Sequence, residues 1–380
     1  MLPFRTLAVF VLAVSSVAAA AQEGERFKTQ KTEVVVETMA RGLENPWGLA
    51  FLPDGRMLVT ERPGRLRVVG PRGDVSEPLG TPPQLRIAAR GQGGLLDVTL
   101  DPDFAQNRLI YLSFAEDRGE GRSGTSVMRA RLNTNATALE AAQIIFRQEP
   151  AYTGRNHWGS RLVFGLDGNL FVTLGDRFDL RQQAQNLENH IGKIVRITSE
   201  GKPAPGNPFF DREGAAPEIW SLGHRNIQAA TLHPETGQLW IVEHGARGGD
   251  EVNIPQAGKN YGWPVISYGV DYSGAKIGEG TAKPGLEQPV YYWDPSIAPS
   301  GMTFYTGDKF PAWRGSVLVG ALAGKLVSRL ETSGNKVTGE ERMLQGLGER
   351  IRTVRQGPDG FVYLLTDASR GRILRLKPAS

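Results

Sequence analysis

Trp47-Gly48-Leu49-Ala50-Phe51-Leu52-Pro53-Asp54-Gly55, followed by Met57-Leu58-Val59-Thr60, reads as two short apolar strands folded about a Pro-Asp-Gly turn. The pattern returns five times. Leu95–Asp103 precedes Leu109–Leu112, and Ser160–Gly168 precedes Leu170–Thr173. Ala229–Pro234 precedes Leu239–Val242, Gly301–Tyr305 precedes Ser316–Val319, and Thr353–Gly360 precedes Phe361–Leu364. The turn positions 55, 103, 168, 237, 307 and 360 lie 48 to 70 residues apart. A lone hairpin cannot bury its own face, so hairpins at this spacing predict stacked units of four strands. Six copies predict an all-β fold, a six-bladed β-propeller, with long inserted loops where the spacing nears 70. A pair of β-sandwiches is the alternative, but no Pro/Gly/Ser-rich linker divides the chain.

Composition agrees with that reading. The 380 residues include 47 Gly and 24 Pro, which favours turns over a helical bundle. Cysteine is absent, which excludes a disulfide scaffold, Cys-ligated zinc, iron–sulfur clusters and a thiol nucleophile. The net charge of +4 is modest and spread along the chain, so nucleic acid is not an expected partner. Arg5, the apolar stretch Leu7–Val14 and the small residues up to Ala21 have the form of a secretory signal peptide. We therefore expect residues 1–21 to be removed and 22–380 to form a single propeller domain. No other segment is long and apolar enough to span a bilayer. Export without cysteine suits a Gram-negative periplasm.

Five histidines allow each to be weighed. His157, in Arg155-Asn156-His157-Trp158-Gly159-Ser160-Arg161, stands at the entrance of an inner strand, where propeller loops build sites. It is either a base or a turn histidine bonded to backbone. His224 precedes Arg225-Asn226, also just before a strand, whereas His190 and His233 look structural. His244 opens the loop His244-Gly245-Ala246-Arg247-Gly248-Gly249-Asp250-Glu251. Carbonyls and carboxylates there suit a hard cation such as Ca²⁺, and a solvated polar loop is the other reading. Gly91-Gln92-Gly93-Gly94 fails the dinucleotide fingerprint at the next glycine position, and no Gly-x-Ser-x-Gly is present, which argues against a serine hydrolase. Arg350 and Arg352 alternate onto one strand face; they suit a polyanionic ligand or a solvated strand edge.

Longer motifs carry a resemblance. Gly91-Gln92-Gly93-Gly94-Leu95-Leu96, Asn156-His157-x-Gly159-x-Arg161-Leu162-Val163-Phe164, Gly223-His224-Arg225-Asn226, Asp250-Glu251-x-Asn253, Asn260-Tyr261-Gly262-Trp263-Pro264 and Ala298-Pro299-Ser300 occur in order. Together with Glu243-x-Gly245 they resemble the soluble glucose/sorbosone dehydrogenases, quinoproteins that use pyrroloquinoline quinone (PQQ), over nearly all the mature chain. The periplasmic aldose sugar dehydrogenases are the most similar branch.

The resemblance implies oxidation of an aldose at its anomeric carbon, with PQQ and Ca²⁺ as cofactors and an unidentified electron acceptor. It makes His157 the general base and Arg225 the group that polarises the quinone. Gln92, Asn226, Lys325, Arg350 and Arg352 would hold the cofactor. Carbonyls of Gly245 and Ala246 would bind the Ca²⁺ beside PQQ, and Glu251 and Tyr261 would serve a second, structural Ca²⁺. Ala246 replaces a proline of the glucose-oxidising branch, with little expected effect on a backbone ligand. Trp293, in Tyr291-Tyr292-Trp293-Asp294-Pro295, is the expected aromatic cover for PQQ. Long insertions of that branch are missing, which implies an open site and broad aldose acceptance. The expected assembly is a monomer or homodimer. A calcium-dependent propeller lactonase and a non-catalytic carbohydrate-binding propeller are the alternatives, but the first has no use for Lys325 and the arginine pair, and the second needs no base at His157.

Overall fold

Each of the six hairpins read from the sequence is the inner hairpin of an antiparallel sheet in a computed structural model that describes residues 24–379. The expected signal peptide lies outside these residues. Strands β1 (Glu25–Lys28) and β2 (Glu33–Leu43) come first. The first blade is β3 (Pro46–Phe51), β4 (Met57–Glu61) and β5 (Arg65–Val69). The second is β6 (Leu95–Leu100), β7 (Leu109–Asp117), β8 (Ser123–Leu132) and β9 (Leu139–Arg147). The third is β10 (Leu162–Phe164), β11 (Leu170–Thr173), β12 (Lys193–Ile197) and β13 (Ile219–Leu222). The fourth is β14 (Ile227–Leu232), β15 (Leu239–Glu243), β16 (Asp250–Asn253) and β17 (Tyr291–Trp293). The fifth is β18 (Pro299–Phe304), β19 (Val317–Ala321), β20 (Val327–Ser333) and β21 (Lys336–Met343). The sixth runs β22 (Ile351–Gln356), β23 (Val362–Thr366), β24 (Gly371–Pro378), β2, β1.

The ring closes through strands from opposite ends of the chain. Antiparallel pairing of β2 with β24 runs from Val34 opposite Pro378 to Leu43 opposite Gly371. Each innermost strand touches the next, and β22 returns to β3. The second strand of a blade lies between two strands and two neighbouring blades. It therefore reads as a continuous apolar run, and β4, β11, β15, β19 and β23 are buried throughout. The hydrophobic core is accordingly divided into layers between blades. Leu58, Leu66, Leu112 and Met128 fill the layer between the first and second, for example.

Two glycines show how tightly inner strands approach. A Cβ on Gly48 would sit 2.9 Å from the Leu96 carbonyl oxygen, and one on Gly301 would sit 2.4 Å from Thr353 Cα. Both would meet the backbone of the next blade, so only glycine fits. Arg161 spans the channel. Its guanidinium, stacked 4.0 Å over Trp47, reaches Asp97, the Gln228 carbonyl and Thr353 on three different inner strands. The long loops expected from the wide spacings lie at 174–192, 198–218 and 254–290. Among the described residues, no helix is long and apolar enough to cross a membrane.

Candidate active site

Two adjoining cavities open where the second strands of the blades end. Arg62 follows β4, Asp176 lies just beyond β11, His244 follows β15, Leu322 follows β19 and Asp367 follows β23. The central cavity, about 270 Å³, is lined by Gln92, Gln228, His244, Arg62, Arg350 and Arg352, with Asp367 and the rings of Trp47 and Trp158. The flanking cavity, about 290 Å³, is lined by His157, Asp176, Phe178, Arg225, Ala246, Trp263 and Tyr272. They meet through Gln92, whose Oε1 accepts the His157 N–H at 2.8 Å, and through Arg225, which donates to the His244 carbonyl at 3.1 Å.

The flanking cavity holds a buried histidine–carboxylate pair. The buried Nδ1–H of His157 donates to Asp176 Oδ1 at 2.6 Å, and Asp176 Oδ2 accepts the Trp263 indole N–H at 2.7 Å. His157 Nε2 has no hydrogen-bond partner among the described residues and is the ring nitrogen left for a ligand. Burial pushes His157 below its ordinary value, against the pull of Asp176, so the ring is neutral at neutral pH. Burial alone would raise Asp176, but the His157 hydrogen bond and nearby positive charge outweigh it and keep the carboxylate ionised. The backbone of His157 is left-handed, φ 54°, which costs energy for a side chain of this size. The Gln92 and Asp176 bonds hold it there.

The central cavity gathers positive charge. Arg350 and Arg352 both reach Asp367 Oδ2, at 3.3 and 3.0 Å, so the strand alternation read from the sequence puts them on one face. Three guanidiniums surround one carboxylate. Burial would raise Asp367, yet the charges of Arg352, Arg350 and Arg62 bring it down to about 2. The positive charge remains in excess, and the buried Nε of Arg352 has no acceptor. A ligand with several carboxylates fits this donor set.

The cation loop has a more complex geometry. Arg225 donates to the carbonyl of Gly245, one of the two oxygens expected on calcium. A guanidinium and a divalent cation cannot share that oxygen. The Arg225 Nε is also buried without an acceptor. Nearby, Glu251 and Glu243 share the amide of Asn253, at 3.0 and 3.1 Å, while Asn253 Oδ1 is buried with no donor. Burial and the Glu243 carboxylate push Glu251 up to about 8. Oxygens crowded together with an acceptor left over suit a hard cation. The Tyr261 hydroxyl donates to the Ile254 carbonyl and accepts the Gln256 N–H, which leaves its backbone carbonyl as the oxygen it can offer.

The remaining expected residues are placed as follows. Asn226 is buried between the cavities, its Oδ1 accepting the Gly159 N–H at 3.2 Å. Lys325 does not line either cavity; it is exposed on the turn between β19 and β20. Trp293 requires a correction. It is 1% exposed in the outermost strand of the fourth blade, packed with Val252 and Ile297, and donates to Glu340 of the fifth blade at 2.8 Å. It is an inter-blade anchor and cannot cover a ligand in the channel. His224 is structural as well, bonded to Glu243 and Ser221. Glu243 also accepts the Arg225 N–H at 2.7 Å and so fixes the start of that residue.

Sequence reasoning missed Asp176, Arg62 and Asp367. One signal would have found them: each is a charged residue within three positions of the end of a repeat's second strand. The exposed aromatics Phe178 and Tyr272 sit on long loops, where no repeat predicts them.

The chain is similar to known proteins along most of its length. The Glucose / Sorbosone dehydrogenase family profile matches residues 43–375. The Aldose sugar dehydrogenase YliI of Escherichia coli (strain K12) is 48% identical over 348 residues, covering 91% of this chain and 93% of the relative. The crystal structure of the soluble aldose sugar dehydrogenase from Escherichia coli in its apo form superposes with a TM-score of 0.88 at 47% identity, covering 91% of this chain and all of that one. The PQQ-bound aldose sugar dehydrogenase of Streptomyces coelicolor gives a TM-score of 0.74 at 29% identity, covering 92% of this chain and 100% of the other. With its six-bladed propeller and a family match across almost the whole described chain, this protein belongs to the glucose/sorbosone dehydrogenase family.

Proposed function

We propose that this protein is a periplasmic, PQQ- and calcium-dependent aldose sugar dehydrogenase that converts the cyclic sugar to its lactone. The observation that carries the proposal is the His157–Asp176 pair, with His157 Nε2 free, in a cavity adjoining three arginines. When bound, PQQ supplies the acceptor for the hydride of the anomeric carbon, and calcium supplies a Lewis acid beside it.

The protein's own residues do the rest. Asp176 fixes the Nδ1–H tautomer, so Nε2 takes the proton of the anomeric hydroxyl. The carboxylate then stabilises the imidazolium that forms. Arg225 lines the same cavity and supplies a charged donor for negative oxygen. Gln92, Asn226, Arg350 and Arg352 would hold the carbonyls and carboxylates of PQQ, Arg62 would add a charge, and Lys325 would reach in from the rim. Gly245 and Ala246 carbonyls would hold calcium once Arg225 releases the first. Glu251 and the Tyr261 carbonyl would hold a second ion. Loss of a proton and a hydride turns the hemiacetal into a lactone, and the electrons leave to an external acceptor. The signal-like residues 1–21 support export to the periplasm.

Purified mature protein, reconstituted with PQQ and Ca²⁺, should reduce a dye on addition of an aldose. Omitting either cofactor should abolish the reaction. No reduction with any aldose in a broad panel would overturn the proposal.

A further inference from the structure

Lys193 opens β12 with its side chain wholly buried, and no carboxylate pairs with it among the described residues. Its ammonium donates instead to three backbone carbonyls, those of Ile191 at 2.7 Å, Gln183 at 2.9 Å and Ala184 at 3.0 Å. Burial pushes it down to about 7. A buried cation without a counter-charge is costly, and an apolar side chain of similar length would fill the space without that cost. Two of the three carbonyls have another donor in any case. Gln183 also accepts the Asn186 N–H at 3.0 Å, and Ala184 the Gly223 N–H at 3.1 Å. Filling the core and satisfying carbonyls therefore do not account for the charge.

Both ends of the loop 174–192 meet at this residue. The Lys193 carbonyl accepts the Leu174 N–H at 2.9 Å, and beside it the Gly192 N–H donates to the Gly175 carbonyl at 3.0 Å. Asp176 follows immediately. The ammonium takes the far side of the loop, where Arg181–Gln185 forms a short helical turn. That turn seats Trp263. Gln185 Nε2 donates to the Trp263 carbonyl at 2.7 Å, Gln185 Oε1 accepts the Asn260 amide at 2.7 Å, and Ala184 packs in one buried cluster with Trp263. The Trp263 indole in turn donates to Asp176 Oδ2 at 2.7 Å.

We infer that Lys193 is a positioning residue for the His157 base: its ammonium clamps the turn 181–185 to the start of β12 and, through Trp263, holds Asp176 against His157. Asp176 spends Oδ1 on His157 and Oδ2 on Trp263, so a shift of the indole rotates the carboxylate and loosens the His157 bond. The effect on turnover rests on the dehydrogenase reading above. The effect on the His157–Asp176 bond does not.

The test has two readouts. The first is the His157 Nδ1–H proton in cofactor-free protein, seen by NMR far downfield of the amides and identified by its loss in Asp176→Asn. The second is kcat of PQQ- and Ca²⁺-loaded protein by dye reduction. Lys193→Met keeps length and bulk without the charge. It should move the proton signal upfield or lose it to solvent exchange, and lower kcat about ten- to a hundredfold with the aldose KM changed less. Trp263→Phe lacks the indole donor and should do the same. The double variant should lose no more than the larger single loss, because both substitutions act on one path. Lys193→Gln, with two donors on a shorter stem, should displace the signal less, and it carries the test where the methionine variant does not fold. Ile194→Ala empties core next to Lys193; it should lower the melting temperature and leave the signal in place. Wild-type signal and kcat in the Lys193 variants, multiplied losses in the double variant, or an equal displacement in Ile194→Ala would overturn the inference. If wild type oxidises no aldose but Lys193→Met displaces the proton, the positioning stands and the dehydrogenase reading falls.

Discussion

Asp176 Oδ1 lies 2.6 Å from His157 Nδ1, and the same oxygen accepts the N–H of Phe178 at 2.8 Å. One carboxylate therefore fixes the tautomer of His157 and the backbone of Phe178, which lines the same cavity. Asp176→Asn keeps the size and loses the charge. We expect kcat for aldose oxidation to fall by about 10²–10⁴, the usual worth of a correctly held base. PQQ binding, measured by reconstitution titration, should change little, because the arginines are elsewhere. A variant with near-normal kcat would remove Asp176 from this role.

The pH profile follows from burial. His157 must be neutral to accept a proton, and its folded value lies below the ordinary 6.5. The acid limb of kcat/KM should therefore fall below pH 6.5: activity persists as pH drops through that value and is lost further down. The pull of Asp176 raises the His157 value against burial, so its removal should move the limb further down. A limb above 6.5 in wild type would contradict the burial of the base. The same displacement bears on stability, since a histidine kept neutral favours the fold fully above 6.5 and less as pH falls toward its folded value.

The fold was legible because its physics repeats. Each second strand, such as Leu170-Phe171-Val172-Thr173, is buried on both faces and must be continuously apolar, and a period made of such runs is visible in one sequence. The structure brings Gln92, Arg350 and Arg352 to one cavity and His157 and Arg225 to the other; His157 and the arginine pair stand out by their place beside an inner strand, whereas Gln92 and the role of Arg225 come only from the family resemblance. Trp293 was misread because an apolar aromatic before a turn has the same local sequence whether it packs between blades or covers a ligand. Only the partner Glu340, 47 residues away, decides it. Phe178 and Tyr272 were invisible for the opposite reason: inserted loops escape the repeat, and their pairing is a fact of three dimensions.

Arg350 and Arg352 share one carboxylate but differ in surroundings. The Arg350 side chain is 45% exposed, and that of Arg352 is 8% exposed. Arg350→Ala should weaken PQQ reconstitution by about tenfold and leave thermal stability nearly unchanged, because exposed pairs contribute about 0–1 kcal/mol. Arg352→Ala should weaken it too and also cost about 3–5 kcal/mol of stability, by removing one partner of a buried pair. Denaturant unfolding of the two apo variants distinguishes them; equal stability would mean Asp367 is held without Arg352.

Gly301 tests the blade packing. An added Cβ would lie 2.4 Å from Thr353 Cα and 2.5 Å from the Val354 nitrogen, and neither strand can rotate away. Gly301→Ala should destabilise by about 3 kcal/mol or shift the sixth blade. Gly334→Ala is the control: its φ of 55° carries strain of about 1–2 kcal/mol, but nothing lies within 4 Å of its Cβ. A milder effect at 301 than at 334 would place the close approach elsewhere.

Calcium should stabilise the fold as well as serve the reaction. Glu243 and Glu251 face one another across Asn253, whose buried Oδ1 lacks a donor. Bringing two carboxylates and a spare carbonyl together is unfavourable until a cation joins them. Millimolar Ca²⁺ should then raise the melting temperature of the PQQ-free protein, by about 2.7 kcal/mol of added stability when the free ion exceeds its Kd 100-fold. Glu251→Gln keeps the volume and removes the carboxylate that the cation would bind. It should make the PQQ-free protein less dependent on calcium and abolish most of the stabilisation. Arg225→Ala acts at the other site, where the guanidinium now occupies the Gly245 carbonyl. Freeing that oxygen should leave the Glu251-dependent stabilisation intact and add a second calcium to the stoichiometry by isothermal titration. A melting temperature insensitive to calcium in wild type would remove the structural site from this protein.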